Sequence, residues 1–156
     1  MTATLLDGIR AAARTLLHEA HHEMREVVAG LDPRALAWHP PAAESDSISG
    51  LVFQALDAER FQVHNALDRR MDQDREGQFT EFATDSAHLL SLIDKVEAEL
   101  DGLLTEVEEA TLLRAVTRGT QTRTGMAWLF RSSRHAQEHI GQAQLTRDLY
   151  LGGKVK

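Results

Sequence analysis

The chain has 156 residues, 42% of them hydrophobic and 26% charged, which is the composition of one globular domain and not of a disordered segment. A formal charge of −7 without any Lys/Arg block excludes the concentrated basic surface that a phosphate backbone demands, so no nucleic-acid partner is expected. The absence of cysteine removes disulfides, Cys-ligated zinc and a cysteine nucleophile together. The opening "MTATLLDGIRAAARTLLHEAHHEMR" has no basic segment ahead of an unbroken apolar one. Nowhere do about eighteen apolar residues run together, so a cytoplasmic chain with no membrane partner is expected.

Helical periodicity governs the chain, and no stretch alternates long enough to predict a strand. The first helix is predicted from about Thr4 to Ala29, with Leu5, Ile9, Leu16, Ala20 and Val27 on one side, and Gly30 and Pro33 stop it. In the long connection "LDPRALAWHPPAAESDS", Asp32 and Pro33 can start one short turn through Ala37. Ser45, Asp46 or Ser47 then caps a second helix, about Ile48 to Met71, whose inward stripe is Ile48, Val52, Ala55, Val63 and Ala66. The polar run "DQDREGQ" breaks the pattern. A third helix follows from about Asp85 to Val107 on Leu89, Ile93, Val96, Leu100 and Leu104. Between Thr105 and Gln121 the pattern is ambiguous: "TEVE" has the spacing of a capping box, and "ATLLRAV" reads as an extra turn or a continuation of the third helix. Thr122 or Thr124 caps the fourth helix, which runs to about Tyr150 before "GG" ends it. Four long amphipathic helices hide their stripes most economically against one another. The expected fold is therefore all-α, a single four-helix bundle over residues 1–156 with a long crossover connection.

Bundle interiors are where facing helices build metal and cofactor sites, so the eight histidines are sorted by the face they occupy. His18 and His22 lie opposite the stripe of the first helix and should face water, with His21 at the boundary. His64 lies opposite the main stripe of the second helix and should also point outward, while His39 and His88 have no partner that spacing identifies. The pair in "RSSRHAQEHIGQAQLTRDLY" differs, because His139 falls in the stripe Leu129, Ser132, Ala136, Ala143 and His135 lies at its flank. Side chains four apart on a helix sit roughly 5–6 Å apart at Cβ, so two imidazoles can converge on one ion; two hydrogen-bonded bundle histidines are the alternative. Glu138 points outward toward Arg134, and the zinc-protease order of residues is absent.

Three stretches in order, "GLDPRALAWHPPAAESDSISGLV", "DAERF" and "HAQEHIGQAQLTRDLYLG", resemble the DinB-like family of small four-helix-bundle metalloenzymes, which includes transferases and isomerases dependent on bacillithiol or mycothiol. The resemblance spans nearly the whole chain. It implies that His135 and His139 are two of three metal ligands, and that the third position, six residues after the isoleucine of "SISGLV", is Gln54 where the family commonly has histidine. An amide oxygen is a weaker donor than imidazole for Zn²⁺ or Ni²⁺. Glu59, in the main stripe of the second helix, can compensate as a ligand or orient a histidine; its other reading is a partner for neighbouring helix-surface groups.

Two functions follow. In the first, a divalent metal (Zn or Ni) at His135 and His139, with Gln54 or Glu59, serves a hydrolase or a thiol-cofactor-dependent transferase acting on a small-molecule substrate. Its low-molecular-weight thiol must be supplied from outside a chain without cysteine. In the second, the bundle has lost its metal and persists as a homodimer that binds small molecules or serves in stress response.

Overall fold

The structure, a computed structural model, describes residues 2–71 and 85–153. Its main helices are α1 (Leu5–Val28), α3 (Ile48–Ala66), α4 (Ser86–Thr105) and α6 (Gly125–Gly153), with short α2 (Pro33–Ala37) and α5 (Glu109–Leu113) and a hairpin of β1 (Ala115–Arg118) and β2 (Gln121–Thr124) between them. Every helix start but that of α5 is set by a side-chain oxygen that accepts an otherwise unpaired helix N–H. Thr4 and Asp7 form a reciprocal capping box, Asp32 accepts from Ala35 N, Ser47 from Gly50 N and Asp85 from His88 N. Thr124 Oγ1 accepts from Ala127 N at 3.2 Å and opens α6.

Around the bundle α1 packs on α4 and α6, and α3 on the same two, so α1 and α3 stand across the diagonal. The connection 29–47 is thus the crossover expected from its length. The core joins Leu17, Met24 and Val28 of α1 to Val52 and Leu56 of α3, Leu89, Ile93 and Leu100 of α4, and Trp128, Leu129 and Ile140 of α6. No helix among the described residues is long and apolar enough to cross a membrane.

Several local expectations are corrected. The second helix ends at Ala66 and not near Met71, because Asp68 takes a left-handed φ of 55° and turns the chain, where its carboxylate holds Arg118 at 3.1 Å. The run "DQDREGQ" lies outside the described residues. Thr105 does not open a capping box; its hydroxyl donates back to Gly102 O at 2.6 Å, and the short helix α5 begins after Glu108, whose N–H donates to Thr111 Oγ1. Where no strand was expected, β1 and β2 pair antiparallel from Ala115↔Thr124 to Arg118↔Gln121. The two-residue loop places Gly119 at φ 57°, the left-handed position that tight hairpins reserve for glycine. Trp128 Nε1 donates to Val116 O at 3.1 Å and ties the hairpin to α6.

Candidate functional site

Helix α6 carries His135 and His139 on the side that faces α3, both half-buried. Their rings stand edge to face, with centroids 4.8 Å apart and planes at 84°, and Nε2 faces Nε2 at 3.2 Å. On the far side of each ring is an oxygen acceptor. Gln142 Oε1 lies 3.3 Å from His139 Nδ1, and Glu138 Oε2 lies 3.6 Å from His135 Nδ1. The Gln142 acceptor favours the proton on His139 Nδ1, which leaves His139 Nε2 as the acceptor in its 3.2 Å contact with His135 Nε2. Burial, and next the neighbouring His139, hold His135 below the ordinary imidazole value. Glu138 also meets Arg134 at 3.2 Å, as its outward placement anticipated.

A spacing of 3.2 Å suits a metal chelate, since two nitrogens each about 2.1 Å from one ion, at an angle near about 100°, are separated by about that distance. The third position is less complete. Gln54 is half-buried and shares with His139 a cleft of about 370 Å³ that Asp46 and Gln142 also line. Its Nε2 donates to Asp46 Oδ2 at 3.0 Å, which leaves the amide oxygen as the free donor atom. No group of three or more His, Asp or Glu side chains able to hold an ion occurs among the described residues. The two imidazoles alone have the spacing of a chelate; Gln54 shares a cleft with His139, and an amide oxygen there would hold a divalent ion less tightly than an imidazole.

Glu59 has a different partner from the one considered for it. It is fully buried on α3, and its Oε2 meets His21 Nε2 of α1 at 2.8 Å, across the bundle diagonal. His21 Nδ1 meets Glu97 Oε2 of α4 at 3.1 Å, and Arg25 holds the other Glu97 oxygen at 2.9 Å. Burial raises Glu59 above the usual carboxylate range. His21, placed at the boundary by periodicity, is wholly inside. His64, expected outward, is half-buried with Nε2 3.1 Å from Glu99, because a helix in a bundle has two neighbours and a single stripe marks only one. His22 is exposed as expected, and His18, also exposed, lies 2.9 Å from Asp101.

The sequence reading missed Asp46 as the group that orients Gln54 and Gln142 as the acceptor behind His139. Its three-residue spacing from His139, one helical turn, was the available signal. It also missed Gln62 and Arg131, which no motif marks.

Comparison with solved structures finds the same bundle in a DinB-like protein from Bacillus subtilis, at TM-score 0.68 and 18% identity, covering 88% of this chain and 91% of that one. It is also found in a mutant of a mycothiol-dependent maleylpyruvate isomerase, at TM-score 0.60 and 15% identity, covering 86% of this chain and 60% of that one. No family model matches the sequence, and no curated protein matches it. At these identities the likeness is one of fold, and the fold is the DinB-like helical bundle that the sequence resemblance implied.

Proposed function

We propose that this chain is a metal-dependent enzyme acting on a small molecule, a hydrolase or a thiol-cofactor-dependent transferase, with a weakened metal centre at His135, His139 and Gln54. The observation that carries the reading is the facing pair of Nε2 atoms at 3.2 Å, with the His139 ring backed by Gln142 Oε1 at Nδ1. Such backing fixes the tautomer of a metal-ligating histidine. A divalent ion there would supply Lewis acidity, lowering the pKa of a bound water or thiol. The chain's own residues do the rest: Gln142 holds the His139 Nδ1 proton, Glu138 lies 3.6 Å from His135 Nδ1, Asp46 holds the Gln54 amide nitrogen, and the adjoining cleft gives a substrate room beside His139. The mycothiol dependence named for one structural neighbour supports a small-molecule thiol, which a chain without cysteine would have to borrow.

A second reading, a dimeric bundle that binds small molecules without catalysis, is favoured by one observation: no third histidine or carboxylate joins the pair among the described residues. Calorimetry with Zn²⁺ and Ni²⁺ separates the two. Under the enzyme reading, wild type binds one equivalent weakly, His139→Ala abolishes binding, and Gln54→His tightens it by at least about tenfold, because an imidazole replaces an amide oxygen. A wild type without affinity, unchanged by Gln54→His, would establish the second reading.

A further inference from the structure

His135 also borders a second cleft, of about 420 Å³, between α3, the hairpin and α6. One part of its lining is aromatic: Phe61 of α3 packs edge to face on the buried Trp128 of α6, 6.4 Å between centroids and 87° between planes, and Arg123 lies 5.5 Å over the Trp128 ring. The polar part contains two atoms with no hydrogen-bond partner among the described residues. Gln62 is 5% exposed, and its Oε1 is buried without a donor. Arg131 is half-buried, and its Nε is buried without an acceptor.

Arg118, the other guanidinium on this cleft, is different. Its Nε donates to Asn65 Oδ1 at 2.9 Å and its Nη2 to Asp68 Oδ1 at 3.1 Å, so its charge is already balanced. For Arg131 no ion pair joins it to a carboxylate among the described residues. An unpaired buried polar atom is costly, and buried polar groups in proteins are nearly always satisfied. Here a half-buried guanidinium with one buried unpaired N–H and a buried acceptor line one cavity beside Phe61. An occupant that satisfied both would carry an anion, a hydrogen-bond donor and a flat apolar body.

We propose that this cleft binds a small aromatic carboxylate with a hydroxyl or amide donor, the carboxylate on Arg131 and the donor on Gln62 Oε1. Arginine suits this role because its planar fork matches a carboxylate and cannot lose its charge. The inference goes beyond the metal reading and does not rest on it, since neither residue belongs to the candidate ligand set.

The test titrates benzoate, benzamide and the three monohydroxybenzoates into the full chain by calorimetry, with tryptophan fluorescence as a second signal. Benzoate is expected to saturate, benzamide to show at least tenfold less affinity, and one hydroxybenzoate to bind about tenfold more tightly than benzoate, the value of one hydrogen bond to an otherwise unpaired acceptor. Arg131→Gln should lower benzoate affinity at least tenfold, with Arg131→Lys intermediate, so the claim remains testable if the first variant fails to fold. Gln62→Leu should abolish the hydroxyl preference while leaving benzoate's own affinity. Adding EDTA should change none of these values, which keeps failure of the metal reading separate. No saturable binding, equal binding of benzoate and benzamide, or indifference to both Arg131 substitutions would overturn the proposal.

Discussion

Glu59 is a carboxylate wholly withdrawn from water, with His21 at 2.8 Å from one of its oxygens and no hydrogen bond to the other among the described residues. Each short N···O contact around His21 needs a proton between its atoms, so ring and carboxylates must be removed or kept together. Breaking a buried pair by deleting one member typically costs about 3–5 kcal/mol, because the remaining polar group is left without partner or solvent. Glu59→Ala should therefore destabilise the chain by about that much, read as a lowered urea midpoint at neutral pH. Glu59→Gln keeps an oxygen for His21 and should lose no more than about half as much. Equal losses would mean that shape and not hydrogen bonding sets the cost. The sequence reading placed Glu59 correctly in an inward stripe but could not show its partner. Stripe position gives the direction of a side chain from its own axis and contains nothing about the helix across the diagonal.

Among the elements, the junction before α6 is the most tightly built. A Cβ on Gly125 would stand 2.1 Å from Thr111 O and 2.9 Å from Ala66 O, both backbone atoms, while Gly125 N donates to Arg114 O at 2.9 Å. The ends of α3, α5 and the hairpin all meet there, and none can retreat by rotating a side chain. Gly125→Ala should cost at least the upper end of the usual overpacking range, about 3 kcal/mol, in urea unfolding. A loss below about 1 kcal/mol would mean that α5 shifts freely. The long helices were legible because each pairs a 3.6-residue stripe with a capping side chain, as at Thr4, Ser47, Asp85 and Thr124. The hairpin was not legible. Of its eight strand residues only Val116 is buried, so there is no alternating pattern to detect, and Gly119 in "TRGTQT" was its one signal. The histidine pair and Gln54 were legible from spacing and resemblance, whereas Gln62 and Arg131 owe their interest to missing partners, which only coordinates reveal.

Across the whole molecule, the ion pairs that join the long helices gather on α4, while the Arg118–Asp68 pair borders one of the clefts. The α1–α4 seam carries Arg14–Asp101, Arg25–Asp94 and Arg25–Glu97, and α3 joins α4 through Arg60–Glu99. The α3–α6 seam carries the histidine pair and both clefts. Acid should therefore act first on the α1–α4 side. Burial pushes Glu97 and Glu99 upward, but Arg25 for the first, and Arg60 with His64 for the second, outweigh it and leave both below their ordinary 4.5. A carboxyl depressed on folding contributes stability that is present above 4.5 and is lost as pH falls through its folded value. Glu59 has the opposite sign. Burial raises it, with Glu97 a small further push and His21 opposing, so its contribution is present below 4.5 and is lost as pH rises through its folded value. Urea midpoints across the acid-to-neutral range should show the wild type weakening below about pH 4.5, and Arg25→Gln should flatten that acid limb. The deficit of Glu59→Gln relative to wild type should shrink as pH rises, because the variant has no proton to lose where the wild type loses its own. A deficit that widens with pH would mean that the His21 contact, and not burial, sets the proton affinity of Glu59. An acid limb unchanged in Arg25→Gln would remove Glu97 from the account.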